Sequence, residues 1–285
     1  MQEFQLHLMD NILSLHQDLK SKTYKHGSYH AFNISDPKPR NIHKASVRDR
    51  LLHHAIYRVL YPYFDRKFIS DSYSCRLNKG THRGMERFKS FAYKVSHNNT
   101  KQCWILKCDI KKFFASIDQR ILLSILHKHI EDQEVLWLLE RIITSFETTS
   151  DKGLPLGNLT SQLLVNIYMN EFDQFVKHKL KVKYYIRYAD DFVFLGTDPA
   201  SLAHMRHGVN KYLEEKLKLS LHPDKVFIKT VSSGVDFLGW VNFSDHKVLR
   251  TSTKRRMIRN FSEKSASSYR GMLRWGNTYK IIKKL

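Results

Sequence analysis

Two aspartates stand side by side, Asp190-Asp191, between Tyr184-Tyr185-Ile186-Arg187-Tyr188 and Phe192-Val193-Phe194-Leu195. Both flanks are rich in the β-branched and aromatic residues that strands favour, so the pair falls at the tight turn of a hairpin. One Asp in a turn is ordinary. Two adjacent carboxylates in an apolar hairpin are not, because they repel each other and lose hydration unless a cation neutralises them. A third carboxylate, Asp109, ends the apolar run Trp104-Ile105-Leu106-Lys107-Cys108-Asp109-Ile110, where alternation puts Ile105, Lys107 and Asp109 on one face. Alone, Asp109 reads as a salt-bridged strand end. With Asp190 and Asp191 it forms a hard-oxygen set suited to Mg²⁺, which binds carboxylates together with substrate phosphate oxygens.

That acidic focus lies in a chain of 285 residues with a formal net charge of +21. Such an excess favours a polyanionic partner, nucleic acid first. About half of it falls in residues 246–285, where twelve Lys and Arg oppose Glu263 alone, interleaved with Met257, Ile258, Phe261, Tyr269, Leu273 and Trp275 at helical spacing. A basic helical element carrying aromatics fits a nucleic-acid grip better than a solvated tail. No apolar run approaches the ~20 residues of a membrane span, and the N-terminus lacks the features of a secretory signal, so a cytoplasmic protein is expected. Cys75, Cys103 and Cys108 show no paired spacing, which makes a disulfide framework and a zinc ribbon poor readings. No Walker A, GxGxxG or Gly-x-Ser-x-Gly pattern is present. The pairs His53-His54, His127-x-His129 and His204-x-x-His207 lack matching acids and read as solvated or core histidines.

Helical patterns are predicted at 46–62, 81–96, 119–130, 133–146, 160–179, 200–217 and 252–284, and strands at 103–110, 183–188, 192–196, 225–230 and 235–241. Ser46 and Asp49 make a capping pair for the first helix. Asp36-Pro37-Lys38-Pro39 reads as extended, since residues before proline avoid the helical region. Helices and strands interleave without a βαβ series, which admits α/β or α+β and disfavours a doubly wound sheet. Between two of the helices runs Gly153-Leu154-Pro155-Leu156-Gly157-Asn158-Leu159-Thr160-Ser161-Gln162, where Gly157 permits close backbone approach and Asn158 or Thr160 can cap the next helix.

In order, the Asp109-Ile110-Lys111-x-Phe113-Phe114 strand end, the Gly157-x-x-x-Ser161-Gln162 loop-helix and the Tyr188-Ala189-Asp190-Asp191 hairpin resemble motifs A, B and C of reverse transcriptases. The resemblance spans nearly the whole chain. Residues 41–50 and 72–82 are similar to the two finger blocks of the retron and group II intron type, 219–225 to motif D, and Asp236-Phe237-Leu238-Gly239-Trp240 to the primer grip. Leu156-Gly157 and Ser161-Gln162 replace the commoner Gln-Gly and Ser-Pro, which most resembles the reverse transcriptases of diversity-generating retroelements. Ser268–Trp275 is similar to their short thumb. Retron hallmark blocks are not found.

The resemblance implies an α+β right-hand polymerase fold: an N-terminal extension and fingers at 1–102, an antiparallel-sheet palm at 103–245 with a finger insertion near 119–155, and a short basic helical thumb at 246–285. No maturase, endonuclease, RNase H or Cas1 domain is expected after it. It implies RNA-directed DNA synthesis by two-metal nucleotidyl transfer, with two Mg²⁺ ions, or Mn²⁺, held at Asp109, Ile110, Asp190 and Asp191. Arg76, with Lys79 as a second candidate, would meet the dNTP triphosphate. Phe113 would stack under the deoxyribose and exclude a 2′-OH, leaving Phe114 to the core. Gly157, Ser161 and Gln162 would line the templating pair, and Lys225 would protonate or steady the leaving pyrophosphate. Phe237, Leu238, Gly239, Trp240, Arg255, Arg256 and Arg259 would hold template and primer. The implied partners are a template RNA, the RNA–cDNA duplex and an oligomeric accessory variability protein, with copying errors concentrated at template adenines. The rivals are another retron-like or defence-associated reverse transcriptase and, in a different class, a catalytically silent basic RNA-binding protein of the same fold.

Overall fold

The computed structural model describes residues 2–35 and 39–283; Asp36, Pro37 and Lys38, expected to be extended, lie outside the described residues. In chain order the elements are α1 (Gln2–Leu6), α2 (Leu8–Lys20), β1 (His30–Ile34), β2 (Arg40–Lys44), α3 (Val47–Asp65), α4 (Thr81–Val95), β3 (Trp104–Asp109), α5 (Phe113–Ser116), α6 (Gln119–His127) and α7 (Gln133–Ile143). They continue with α8 (Leu159–Gln174), β4 (Tyr185–Tyr188), β5 (Asp191–Gly196), α9 (Pro199–Leu217), β6 (Phe227–Thr230), β7 (Val235–Phe237), β8 (Trp240–Asn242), β9 (Lys247–Leu249), α10 (Thr251–Arg259), α11 (Glu263–Leu273) and α12 (Tyr279–Ile282). Helices mix with antiparallel sheets, so the class is α+β. No helix among the described residues is long and apolar enough to cross a membrane.

The chain forms two compact units. The first comprises Met1–Phe68, Lys111–Asp173 and Glu214–Leu219, so the insertion expected near 119–155 shares a unit with the N-terminal residues. Here α3 starts as expected: Ser46 Oγ accepts from Asp49 N at 3.1 Å, and Leu52, His53, Ile56, Leu60 and Phe64 are buried along one helical face. Asp118 and Asp132 cap α6 and α7 through their carboxylates. The helix α8 is buried on nearly every side, and Tyr168 Oη donates to Leu217 O at 2.6 Å.

The second unit comprises Ile69–Ile110, Gln174–Leu213 and Ser220–Leu285. Its four-stranded antiparallel sheet has the order β4-β5-β3-β6. A central strand needs apolar residues on both faces, and Ile105 and Leu106 are both fully buried. One face packs through Ile105, Ile186, Val193 and Leu195 against Phe88 and Phe91 of α4. A three-stranded sheet, β7-β8-β9, follows, and Trp240, Leu249, Met257 and Leu273 form a separate core beneath the last helices.

Three departures from the sequence reading have a visible local cause. The strand expected at 235–241 is a hairpin, because Leu238 and Gly239 both take positive φ (54° and 85°) and turn Phe237 back onto Trp240. The helical run at 252–284 breaks into α10, α11 and α12, with Ser262 and Ser265 forming a capping box that starts α11. Asn158 does not cap α8. Its amide donates to His43 O at 2.7 Å and accepts from Ala45 N at 3.3 Å. An amide offers a donor and an acceptor together, which suits an extended segment; a helix N-terminus presents donors only.

Candidate active site

The register of the four-stranded sheet assembles the carboxylates. Asp109 and Asp191 are directly opposed across β3 and β5, and directly opposed residues of an antiparallel pair share a face. The β4–β5 turn is Ala189-Asp190, closed by the pairing of Tyr188 with Asp191. Ile110 N donates to Asp190 O at 3.1 Å, so the turn is tied to the end of the central strand. Three acidic residues from two separate stretches of sequence thus stand at one corner of one sheet.

Cations answer them. Lys225, on the 3₁₀ turn Pro223–Lys225, places Nζ 2.8 Å from Asp109 Oδ1. That turn is held by His222 N donating to Asp109 O at 2.7 Å and by a bridge between Ile110 and Leu221. Lys107 is 7% exposed, and its Nζ lies 3.2 Å from Asp191 Oδ2. Burial pushes the Asp191 carboxyl up to about 7 against the pull of Lys107, and Asp109 and Asp190 add repulsion.

Among the described residues, no three His, Cys, Asp or Glu side chains close into a ready set of metal ligands. The donor chemistry nevertheless fits a hard divalent cation. Asp191 Oδ1 is sealed from solvent without a hydrogen-bond partner, and an orphaned buried carboxylate oxygen is an atom that a cation would satisfy.

Arg76 and Lys79 belong to the same unit as the acidic corner. Arg76 Nη1 donates to Ile69 O at 2.7 Å and Ser72 O at 3.0 Å, and Lys79 Nζ donates to Ser70 O at 2.7 Å above the Tyr73 ring. Their loop is joined to β4: Ser72 bridges Arg187 in parallel, Tyr73 N donates to Arg187 O at 2.9 Å, and Arg187 N to Asp71 O at 3.0 Å. Sequence reasoning put Lys107 on the Asp109 face without giving it a role, and it missed Arg187. Each is a lone cation inside an otherwise apolar strand, which is the signal that could have found them.

Phe113, Gly157, Ser161 and Gln162 belong to the other unit. Burial runs against the expectation for the aromatic pair: Phe113 is buried, whereas Phe114, expected in the core, is half-buried. Gly157 has φ 109°, and a Cβ there would lie 2.7 Å from Ile42 Cγ2, so the loop requires glycine. Ser161 is buried and Gln162 half-buried. In the primer-grip segment, Phe237 and Trp240 are buried in two different cores, because the turn points both rings inward. Asp236 and the tip, Leu238-Gly239, are half-buried. On α10, Arg255 and Arg259 are exposed one turn apart, while Arg256 is half-buried beside the buried Met257.

Residues 25–241 match the reverse transcriptase (RNA-dependent DNA polymerase) family. The chain belongs to that family. As a reverse transcriptase it is 26% identical over 282 residues to Protein YkfC of Escherichia coli (strain K12), covering 84% of this chain and 71% of that protein. It is 21% identical over 319 residues to the group II intron-encoded protein LtrA of Lactococcus lactis subsp. cremoris, covering 87% of this chain and about half (51%) of LtrA. Among solved structures, apo telomerase from Candida tropicalis aligns with a TM-score of 0.60 at 13% identity, over 86% of this chain and 60% of that one. That likeness establishes the polymerase fold of this reverse transcriptase. Members of the family use divalent metal ions.

Proposed function

We propose that the chain copies an RNA template into DNA, with Asp109, Asp190 and Asp191 as the metal-holding carboxylates. The observation that supports this best is the in-register pairing of Asp109 with Asp191 beside the Asp190 turn. In this reading Asp109 and Asp190, with Ile110 beside them, hold two divalent ions, Mg²⁺ by the hard-oxygen rule, and Asp191 supports the primer-side site. Such ions, when bound, would neutralise the attacking primer 3′-oxygen and the leaving pyrophosphate oxygen. The protein supplies the rest. Arg76 and Lys79 approach the triphosphate from a loop that their own hydrogen bonds already stiffen, which lowers the entropy cost of gripping it. Lys225 sits on the Asp109 carboxylate, placed to give a proton to the departing pyrophosphate or to steady it. Phe113 excludes a ribose, Gly157, Ser161 and Gln162 bound the templating pair, and Arg255, Arg256 and Arg259 with the Leu238-Gly239 tip hold the duplex. The division into fingers, palm and thumb at 1–102, 103–245 and 246–285 belongs to the same proposal.

Within the family, Leu156 and Gln162 favour an enzyme of a diversity-generating retroelement, which copies adenines with errors and works with an oligomeric accessory protein. The intron-encoded relatives favour a second reading, an intron-type reverse transcriptase. The test is primer extension on RNA with Mg²⁺ and dNTPs. Asp109→Asn and the Asp190→Ala, Asp191→Ala pair should abolish extension while RNA binding, which comes from basic surfaces, persists. Extension by Asp109→Asn at near the parent rate would overturn the assignment.

A further inference from the structure

Arg187 is fully buried, in a strand that ends at the acidic turn. A guanidinium cannot be deprotonated to escape burial, so its donors must be satisfied from within. Its Nη1 donates to Ala189 O at 3.3 Å and its Nη2 to Ser72 Oγ at 3.1 Å. Both partners matter. Ala189 has φ 55°, a left-handed backbone that a residue with a Cβ adopts reluctantly, and it immediately precedes Asp190. Ser72 lies in the loop of Arg76 and Lys79, and that loop is already laced to the Arg187 backbone on both sides, through Asp71 O and Tyr73 N. The loop has its own brace, since Asp71 accepts from Arg87 Nε at 2.7 Å.

We infer that Arg187 is a positioning residue that locks the Ala189-Asp190 turn in its left-handed shape and couples it to the triphosphate-facing loop through Ser72. It touches no substrate in this scheme. It acts by fixing where the carboxylates of Asp190 and Asp191 stand relative to Arg76, and a shift of about 1 Å at such a site can cost on the order of 10²-fold in rate. The inference rests on the proposed polymerase function.

The experiment uses the full chain in primer extension, titrating Mg²⁺ and dNTP, with circular dichroism to report folding. Arg187→Lys keeps the charge and loses the fork. It should lower kcat at least tenfold and raise the Mg²⁺ concentration for half-maximal rate at least threefold. Adding Ala189→Gly should restore at least threefold of the lost rate, because glycine takes positive φ without a Cβ clash. Rescue by a backbone change two residues away is not expected if Arg187 merely fills space. Should Arg187→Lys fail to fold, Ser72→Ala, which removes one hydroxyl, serves instead and should show the same raised Mg²⁺ requirement. A folded Arg187→Lys or Ser72→Ala with parent kcat and Mg²⁺ dependence overturns the inference, and so does a rate loss that Ala189→Gly leaves untouched. A parent chain inactive under all conditions would instead overturn the polymerase reading.

Discussion

At the scale of single residues, the acidic corner is an electrostatic compromise in which each charge is tolerable only because of another. Lys107 and Asp191 are the clearest case. Removing one partner of a buried pair leaves an uncompensated charge, whereas removing both charges together is often near neutral. Lys107→Met should therefore lower unfolding free energy by up to about 3 kcal/mol at alkaline pH, where Asp191 is ionised, and less at pH 7, where the carboxyl can protonate instead; adding Asp191→Asn should recover most of that loss. Urea melts of the single and double variants check it; a double variant as unstable as the single would show that the pair carries no coupling. The sugar gate is a second test at this scale. On the proposed reading Phe113→Ala should admit ribonucleotides, because it removes the ring assigned to exclude a 2′-OH. The dNTP/rNTP rate ratio reads the effect, and an unchanged ratio moves the gate to Phe114, whose partial exposure makes it the alternative. That Asp109, Asp190 and Asp191 share one end of a sheet was legible in the sequence, because carboxylates at strand ends break an apolar pattern. The inward turn of Phe237 and Trp240 was not, since a motif says which residues recur and not which way a two-residue turn points them.

At the scale of elements, α3 is anchored by a buried polar cluster rather than by its apolar stripe alone. Tyr24 Oη donates to Asp49 Oδ1 at 2.7 Å, and His26 Nε2 lies 3.2 Å from His53 Nε2. Burial, with the neighbouring charge of His26 acting the same way, pushes the His53 imidazole down to about 4. Burial also works to raise Asp49, but hydrogen bonds from Ser46 and Tyr24 outweigh it and hold the carboxyl below its usual range. Between pH 6.5 and 4 the unfolded chain protonates His53 and the native chain does not, so stability falls as pH drops through that window. The shift corresponds to roughly 3 kcal/mol for complete passage from the ordinary value of 6.5 to about 4. The Asp49 contribution disappears only at lower pH. Urea midpoints at pH 7 and pH 4.5 should differ strongly for the parent chain and much less for His53→Gln; parallel pH dependence would remove His53 from the account. The pair Ser46–Asp49 was readable as a cap. The helix α2 was missed although Leu8, Ile12, Leu15 and Leu19 fall at helical spacing; of its residues Leu15 is buried, while Met9, Ile12 and Leu13 are exposed.

At the scale of the whole molecule, family and fold follow from motif order, and fidelity is what separates the subfamily readings. A sheet corner with three carboxylates serves any template-directed polymerase, so the discriminating chemistry must lie where the nascent base pair is judged. The motif B loop is the place the resemblance gives for it. Its Gly157 is fixed by a left-handed backbone against Ile42, and the preceding Leu156 carbonyl accepts from His43 N at 2.9 Å, which anchors the loop to β2. The backbone at 156 is thus held while its side chain is half-buried and apolar. If the loop meets the incoming nucleotide as proposed, a Gln at that position could hydrogen-bond it, and a Leu cannot. Discrimination between right and wrong bases is a difference of transition-state free energies, so one lost contact narrows it. A loss of about 1.4 kcal/mol raises misincorporation tenfold. Leu156→Gln should therefore lower the error rate by about that factor, most of all opposite template adenine. Sequencing cDNA made by parent and variant on one adenine-containing RNA reads both quantities. Parent errors that are rare, or that show no adenine bias, would discard the diversity-generating assignment and leave an ordinary intron-like reverse transcriptase, since the acidic corner and its lysines are indifferent to the identity of residue 156.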